Sequence, residues 1–477
     1  MTEVSYTQHG IWINEQLGSG SAYHMPIVIR FDPAPAGDDL AKAVATVVER
    51  HPLLSRALQD REGVLHLVPA GRSPELEPVT GDGDWVREET VRPFDLERGP
   101  LIRFAFDGRT LLIVAHHLVF DGHSKDVLLA DLAAVLDGRP LEPLPPLDHA
   151  AAQRERVSLA AEEARRFWAA RWHEPGGTVV PGGTLRSRRA GAGRVHEFGL
   201  RAPELPGLTT FEVLIAAVHA LLRGYGNAEA VTALDLSTRT PEENGRVGAF
   251  VNELPVFSTP DPGEPFSGFA ARLRTELRRL YAHREVPLAR AVPGIRPHAA
   301  LAPVSISYRR GGEESPDADL LAFNHAVRGA LQLQLLDGPG GLRASLRHGD
   351  ELPDPARFAQ DLTALLAAVA AAPDRPLGEL TRALDAPAET ANADVAAPAQ
   401  DVAADDDPLL ADIRAIWEEV LQLAPIEAHD DIFDLGGHSL TITQIIARMR
   451  KRLGVEIDLD DFFDNPTIAG VLGVIRR

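Results

Sequence analysis

The stretch Leu111–Ser124 reads LLIVAHHLVFDGHS. An apolar run ends in two adjacent histidines, a short loop holds Asp121-Gly122, and a helix is expected beyond it. Upstream, the apolar run Leu101–Phe106 is separated from this one by Asp107-Gly108. An Asp-Gly pair between two apolar runs predicts a β-hairpin. Neighbouring residues on a strand point to opposite faces, so His116 and His117 cannot share one job. One is expected to face a cavity and the other the interior. Histidine exchanges a proton near neutral pH. At a strand end, beside a glycine that permits close backbone approach, it suits a general base or a donor to a transition state. A lone histidine here would read as a satisfied core residue. Two histidines followed by Asp121 and Gly122 argue for chemistry.

The flanking sequence alternates helical and strand patterns. Leu40–Val48 predicts an amphipathic helix that ends before His51-Pro52. Ser124 is expected to cap a helix through Val127, Leu128, Leu132 and Val135, stopped by Asp137-Gly138 and Pro140. Thr209 or Thr210 opens another, carrying Phe211, Leu214, Ile215, Val218, Leu221 and Leu222. These patterns predict an α/β (α+β) unit. Roughly 380 residues is large for one core, so two lobes are expected, about 1–170 and about 171–384.

Residues 385–408, DAPAETANADVAAPAQDVAADDDP, are almost free of large apolar side chains. Such a segment cannot bury enough surface to order itself and is expected to be a flexible Ala/Pro/Asp linker. Residues 409–477 form a second, small unit. Leu410, Ile413, Ile416, Trp417, Val420 and Leu421 fall at helical spacing. A second helix is predicted over Leu440–Leu453, stopped by Gly454, and a short third over Thr467–Ile475. That is a small all-α bundle. Ser439 precedes the second helix, after Gly436-Gly437, which let the loop bend tightly. By itself such a serine is an ordinary helix cap.

Composition narrows the function. The chain has 477 residues and a net charge of −21, which argues against a nucleic-acid partner, because phosphates need Lys and Arg. Cysteine is absent, removing disulfides, thiol nucleophiles and thiolate metal sites; no metal is expected. The opening MTEVSYTQHG lacks the order of a secretory signal. The longest mostly apolar run, near Leu362–Ala372, is far short of the roughly 18 residues a bilayer requires. A soluble, cytoplasmic protein without a membrane partner is expected.

His116-His117-Leu-Val-Phe-Asp121-Gly122 resembles the HHxxxDG motif of the condensation domains of nonribosomal peptide synthetases. Other segments follow in order. Ser5-Tyr6-Thr7-Gln8 with Ile11-Trp12 is similar to the opening motif. Arg50-His51-Pro52-Leu53-Leu54 is similar to the second, although Ser55 stands at a usual Arg position and Arg56 follows. Ser237–Val256, STRTPEENGRVGAFVNELPV, resembles the motif containing Gly-x-Phe-Val-Asn, with Glu253 where Thr is common. The resemblance spans about 5–384. It implies two lobes resembling chloramphenicol acetyltransferase with a tunnel between them. Within it, His117 is the catalytic residue, with His116, Asp121 and Gly122 completing the motif. Asp121 is structural and usually pairs with an Arg; the Ser55 departure puts that pairing at issue. Ser124 and Asn252 are expected along the tunnel, and backbone N–H groups at Gly122 and Ser124 are expected to stabilise the oxyanion.

Asp430–Leu440, DDIFDLGGHSL, resembles the DxFFxLGGxSL motif of peptidyl carrier proteins. It implies 4′-phosphopantetheine on Ser439, added by a phosphopantetheinyl transferase. The combined reading is a condensation–carrier didomain that joins a carrier-bound acyl or peptidyl thioester to an amine. The carrier domain holds the acceptor or the product. An upstream donor carrier protein is expected on another protein, because little sequence precedes Ser5. An adenylation domain acting in trans is expected to charge the carrier, because 385–408 leaves room only for a tether. Arg448, Arg450, Lys451 and Arg452 read as a solvated face. Ester formation with an alcohol acceptor, or a non-catalytic condensation-like scaffold serving the carrier, are the alternatives. An acyl-CoA acyltransferase would leave Ser439 unexplained, and an epimerisation domain normally follows its carrier.

Overall fold

The computed structural model describes residues 2–61, 63–80, 84–186, 190–292, 295, 300–311, 322–338, 340–382, 408–421, 423–433, 435, 437 and 439–476. The linker expected at 385–408 lies outside the described residues, apart from Pro408.

The first lobe opens with α1 (Tyr6–Gln16), capped by Ser5 in a reciprocal box with Gln8. Then follow β1 (His24–Arg30), α2 (Gly37–Arg50), the hairpin β2 (Arg56–Arg61) and β3 (Val64–Pro69), β4 (Leu76–Pro78), β5 (Ile102–Phe106), β6 (Thr110–His116) and α3 (Gly122–Leu136). Gly108 has φ +97°, which lets the Asp107-Gly108 turn close the expected β5–β6 hairpin. Strands run in the order β1-β6-β5-β4. His24 pairs with His116 and Ile27 with Ile113. Alternation sends Ile27, Phe104, Ile113 and Ala115 into one core against Leu40, Val44, Val47 and Leu128, which explains the apolar runs.

The helix α4 (His149–Ala169) leads into the second lobe: β7 (Arg194–Leu200), α5 (Thr210–Gly224), β8 (Ala230–Ser237), β9 (Val251–Ser258), α6 (Phe266–Tyr281), β10 (Val304–Arg310), β11 (Leu331–Gly338), β12 (Gly341–His348) and α7 (Pro355–Ala371). Its sheet has the order β7-β12-β11-β10-β8-β9. The helix α5, capped by Thr209 in a reciprocal box with Glu212, forms where its apolar spacing predicts and is apolar nearly all round and buried. Val157, Ala164 and Trp168 of α4 belong to this second core. The helix α4 bridges the lobes, since its earlier residues Gln153 and Arg154 bond to Tyr6 and Val4 of the first.

The small unit consists of α8 (Pro408–Leu421), α9 (Ser439–Leu453), α10 (Leu459–Asp464) and α11 (Ile468–Ile475). Three helices were expected; α10 is the additional one. Its Phe462 stacks on Trp417 with ring centroids 5.6 Å apart, and Phe463 on Phe433 at 6.1 Å. Arg448 and Arg452 of α9 pair with Glu419 of α8 at 3.3 and 2.6 Å, so part of the basic cluster braces the bundle.

The bundle rests on the first lobe. Ile13 of α1 is buried in the bundle's own apolar core, with Trp12 and Leu17 packed beside it. Gly63, in the β2–β3 turn with φ +82°, lies under α9. A β-carbon there would stand 2.8 Å from Gln444 Cα and 2.9 Å from the Thr443 carbonyl oxygen.

Candidate active site

Buried sheet geometry carries β6 to its last residue, His116, and the chain then turns. The two histidines have different surroundings: His116 ends the strand and His117 lies in the turn that follows. His116 is fully buried. Its Nδ1 accepts from the Leu118 N–H, and its Nε2 lies 3.3 Å from Glu15 Oε1. Burial opposes ionisation of Glu15, and the contacts with His116 and Ser19 outweigh it, lowering that carboxyl. His116 thus ties β6 to α1.

His117 is only partly buried. Its Nδ1 lies 2.7 Å from the Phe120 carbonyl oxygen. A carbonyl can only accept, so Nδ1 carries the proton and Nε2 keeps its lone pair. Its backbone N–H donates to Tyr23 O, and the Tyr23 ring lies 6.1 Å away. Burial and then the charge of Arg328 push the imidazole below its ordinary pKa. Both favour a neutral ring that can accept a proton at Nε2.

Asp121, not Ser124, caps α3: its Oδ1 accepts from the Ser124 N–H at 2.7 Å. That N–H is therefore already engaged, which corrects the oxyanion role expected for it. Ser124 is the third residue of α3 and is fully buried. Its hydroxyl stands 2.8 Å from Asp121 Oδ1 and 2.9 Å from the Gly248 carbonyl, and it accepts from the Gly248 N–H at 2.9 Å. It belongs to a joint between the lobes and not to a tunnel wall. Asn252 is likewise engaged: its amide donates to the carbonyls of Arg284 and Val286, which holds that segment against β9. The Gly122 carbonyl accepts from Arg309 of the second lobe at 2.7 Å.

The cation that pairs with Asp121 is Arg239, a residue the motif reading missed. Its Nη2 lies 2.7 Å from Asp121 Oδ1 and 3.0 Å from Ser124 Oγ. Its Nη1 donates to the carbonyls of Glu243 and Arg246, and its guanidinium sits 4.1 Å over the Phe250 ring. Asp121 Oδ2 accepts from the Phe250 N–H. The second lobe thus extends a loop, residues 238–250, across the first, and Val247 enters the first lobe's core. Only glycine fits at 248, where a β-carbon would meet the Phe250 ring at 2.3 Å. Arg56 is not the partner of Asp121. Residues Pro52–Ser55 form a 3₁₀ turn, and Arg56 opens β2. Arg50 and His51 both bind Asp131, at 3.1 and 2.7 Å. A basic residue inside the Ser237–Val256 segment was the available signal for Arg239.

Residues 1–299 match the condensation domain family, and residues 411–475 match the family of the phosphopantetheine attachment site. The chain belongs to the condensation-domain family of nonribosomal peptide synthetases. These are acyl-transferring enzymes that form amide or ester bonds. The nonribosomal peptide synthetase kk1B of Curvularia clavata is 30% identical over 70% of this chain and 3% of its own length. The enniatin synthase of Fusarium equiseti is 28% identical over 62% of this chain and 11% of its own. The chain therefore spans a small part of the curated relatives it matches. The first condensation domain of the calcium-dependent antibiotic synthetase, solved with a substrate analogue, has the same fold. Its TM-score is 0.64 at 22% identity, covering 79% of this chain and 98% of that one. The two-lobed condensation fold and the helical carrier fold are thus those expected. Among the described residues no helix is long and apolar enough to cross a membrane.

The carrier-side residues fit the prosthetic group. Ser439 opens α9, and the amino end of a helix of that length favours an anionic phosphodiester. Ahead of it the Gly437 N–H donates to the Ile432 carbonyl at 2.7 Å, and a β-carbon at 437 would stand 2.5 Å from the Ile432 side chain.

Proposed function

We propose that this condensation–carrier protein joins a carrier-bound acyl or peptidyl thioester to an amine acceptor, forming an amide. The condensation unit covers 1–384, a linker 385–408, and the carrier domain 409–477. When bound to Ser439, 4′-phosphopantetheine supplies the thiol on which a substrate is held as a thioester. Between the two units the sequence has no space for an adenylation domain, which supports charging by a separate adenylating partner after a phosphopantetheinyl transferase has acted. The donor comes from an upstream carrier protein.

The observation that carries this reading is the orientation of His117. With Nδ1–H committed to the Phe120 carbonyl, Nε2 is left to take a proton from the attacking amine. Attack on the thioester carbonyl builds an oxyanion and then expels the thiol. Asp121 touches none of the reacting atoms in this reading; with Arg239 it holds the loop that carries His117. Keeping both substrates in one fixed geometry supplies much of the rate.

The test is single-turnover transfer from an acyl-loaded donor carrier to an aminoacyl acceptor, followed by mass spectrometry. His117→Ala is expected to lower the rate about 10²–10⁴-fold with an unchanged thermal midpoint, and Ser439→Ala to abolish the mass gain on phosphopantetheinylation. Product forming at the native rate in His117→Ala overturns the assignment.

A further inference from the structure

Asp235 and Glu253 are direct partners across the antiparallel pair β8–β9. Like charges directly opposite each other on a sheet repel. Both side chains are largely enclosed, 17% and 14% exposed. Arg328 lies against them, with Nη2 3.0 and 3.1 Å from the two Asp235 oxygens but 3.9 Å from Glu253 Oε1. Glu253 Oε2 accepts from the Leu301 N–H at 2.7 Å. Glu253 Oε1 is buried, and no hydrogen-bond donor among the described residues reaches it. An unsatisfied buried acceptor is costly and asks for a reason.

The segment that carries Arg328 is tied to the chain on both sides of Tyr23, since Asn324 donates to the carbonyls of Ala22 and His24, and the Tyr23 ring lies 6.1 Å from that of His117. Arg328 and Asp235 act on the His117 ionisation. Arg328 and Glu253 act on Tyr23, whose ring faces His117. Arg347 also acts on this group through Arg328. With His117 neutral, Arg328 offsets Asp235 and Arg347 is offset by Glu197, so an ionised Glu253 leaves one negative charge uncompensated. An ammonium group would match both that charge and the open lone pair. A neutral threonine, common at this point of the motif that the segment resembles, would match neither.

An amine of ordinary basicity is mostly protonated at neutral pH and cannot attack until it loses a proton. We propose that Glu253 receives the acceptor as its ammonium ion and takes its first proton, as a second proton acceptor beside His117. The inference rests on the amide-forming reading above. An N–H bond of the ammonium breaks, its electron pair stays on nitrogen, and the proton goes to Glu253 Oε1. The amine nitrogen then bonds to the thioester carbonyl carbon, and the carbonyl π pair moves to oxygen. A second nitrogen proton passes to His117 Nε2. The carbonyl re-forms, the C–S bond breaks, and His117 returns that proton to sulfur. Glu253 releases its own to solvent. Burial lifts the Glu253 carboxyl to about 7, with Arg328 opposing and Asp235 reinforcing, so it can both take up and release a proton near neutrality.

The experiment compares the full-length native protein with Glu253→Gln and Glu253→Asp, using one acyl-loaded donor carrier. Acceptors are an alkylamine and a weakly basic hydrazide of similar size, across the pH range that spans the alkylamine's own pKa. Glu253→Gln is expected to lower kcat/KM for the alkylamine about 10–100-fold below that pKa and to converge with the native protein above it. Hydrazide transfer is expected to be unchanged throughout, and Glu253→Asp to recover part of the low-pH rate. The thermal midpoint of Glu253→Gln should be equal or higher, because the repulsion with Asp235 is removed. Equal losses on both acceptors at every pH, or no loss on either, overturn the inference alone. A native protein that acylates an alcohol and no amine overturns the amide reading and this inference together.

Discussion

Two joints hold this chain together, and they are built from opposite materials. Between the lobes, Asp121, Ser124, Arg239 and the backbone of Gly248 and Phe250 form a buried polar knot in which nearly every donor finds an acceptor. Between the first lobe and the carrier bundle the contact is small and apolar, made by Ile13, Trp12 and the bare backbone at Gly63. A buried ion pair is rigid because breaking it strands a charge. A small apolar seat separates at little cost. The contrast matches what each joint must do. The lobes hold His117 in place, and a carrier bearing a prosthetic group has to come and go.

The largest test of this contrast is Arg239→Ala. It leaves Asp121 buried without its cation, and a loss of about 3–5 kcal/mol is expected, seen as a lower thermal midpoint of the condensation unit. The carrier bundle, followed through Trp417 fluorescence, should not change. A loss below about 1 kcal/mol would show that the knot does not bind the lobes.

Acid separates the joints next. Glu243 follows Arg239 in the same loop and binds His149 at 2.8 Å and Arg156 at 3.4 Å. Burial pushes its carboxyl up, but His149, the Thr240 N–H and Arg156 prevail and hold it down at about 2. A carboxyl lower in the folded state stabilises it above the unfolded pKa, and that share is lost as pH falls toward the folded one. Stability of the condensation unit should therefore fall between about pH 4.5 and 2, and Glu243→Gln should remove on the order of 1–3 kcal/mol of that dependence. An unchanged acid profile in Glu243→Gln would remove Glu243 from the knot.

The smallest effect on stability is expected at the carrier seat. Asn tolerates positive φ better than other side chains, so Gly63→Asn keeps the turn while placing a β-carbon against α9. Unfolding should change by less than about 1 kcal/mol, while small-angle scattering shows the carrier displaced. A particle of unchanged dimensions would mean that the seat adapts.

Local signals were legible wherever the chemistry was local. The Asp107-Gly108 turn, the helix start at Thr209 and the Gly454 stop each depend on residues a few positions apart, and the structure places them as the spacing predicts. The α10 helix escaped because LDDFFD is too short to show a period. Its identity comes from two aromatic stacks with distant partners. Ser124 was misread because Asp121 and Ser124 are both good caps, and local pattern does not rank them when a distant arginine selects one.

The β5–β6 hairpin, the helices α2, α3 and α5 and the apolar carrier helices follow from periodicity and turn chemistry, which act over a few residues. The partner of Asp121, 118 residues away, the second-lobe core that claims α4, the charge cluster of Asp235, Glu253 and Arg328, and the seat of α9 on Gly63 were decided by tertiary structure. A side chain's charge balance and its clearance are properties of everything folded against it. Those neighbours are brought together only when distant segments pack.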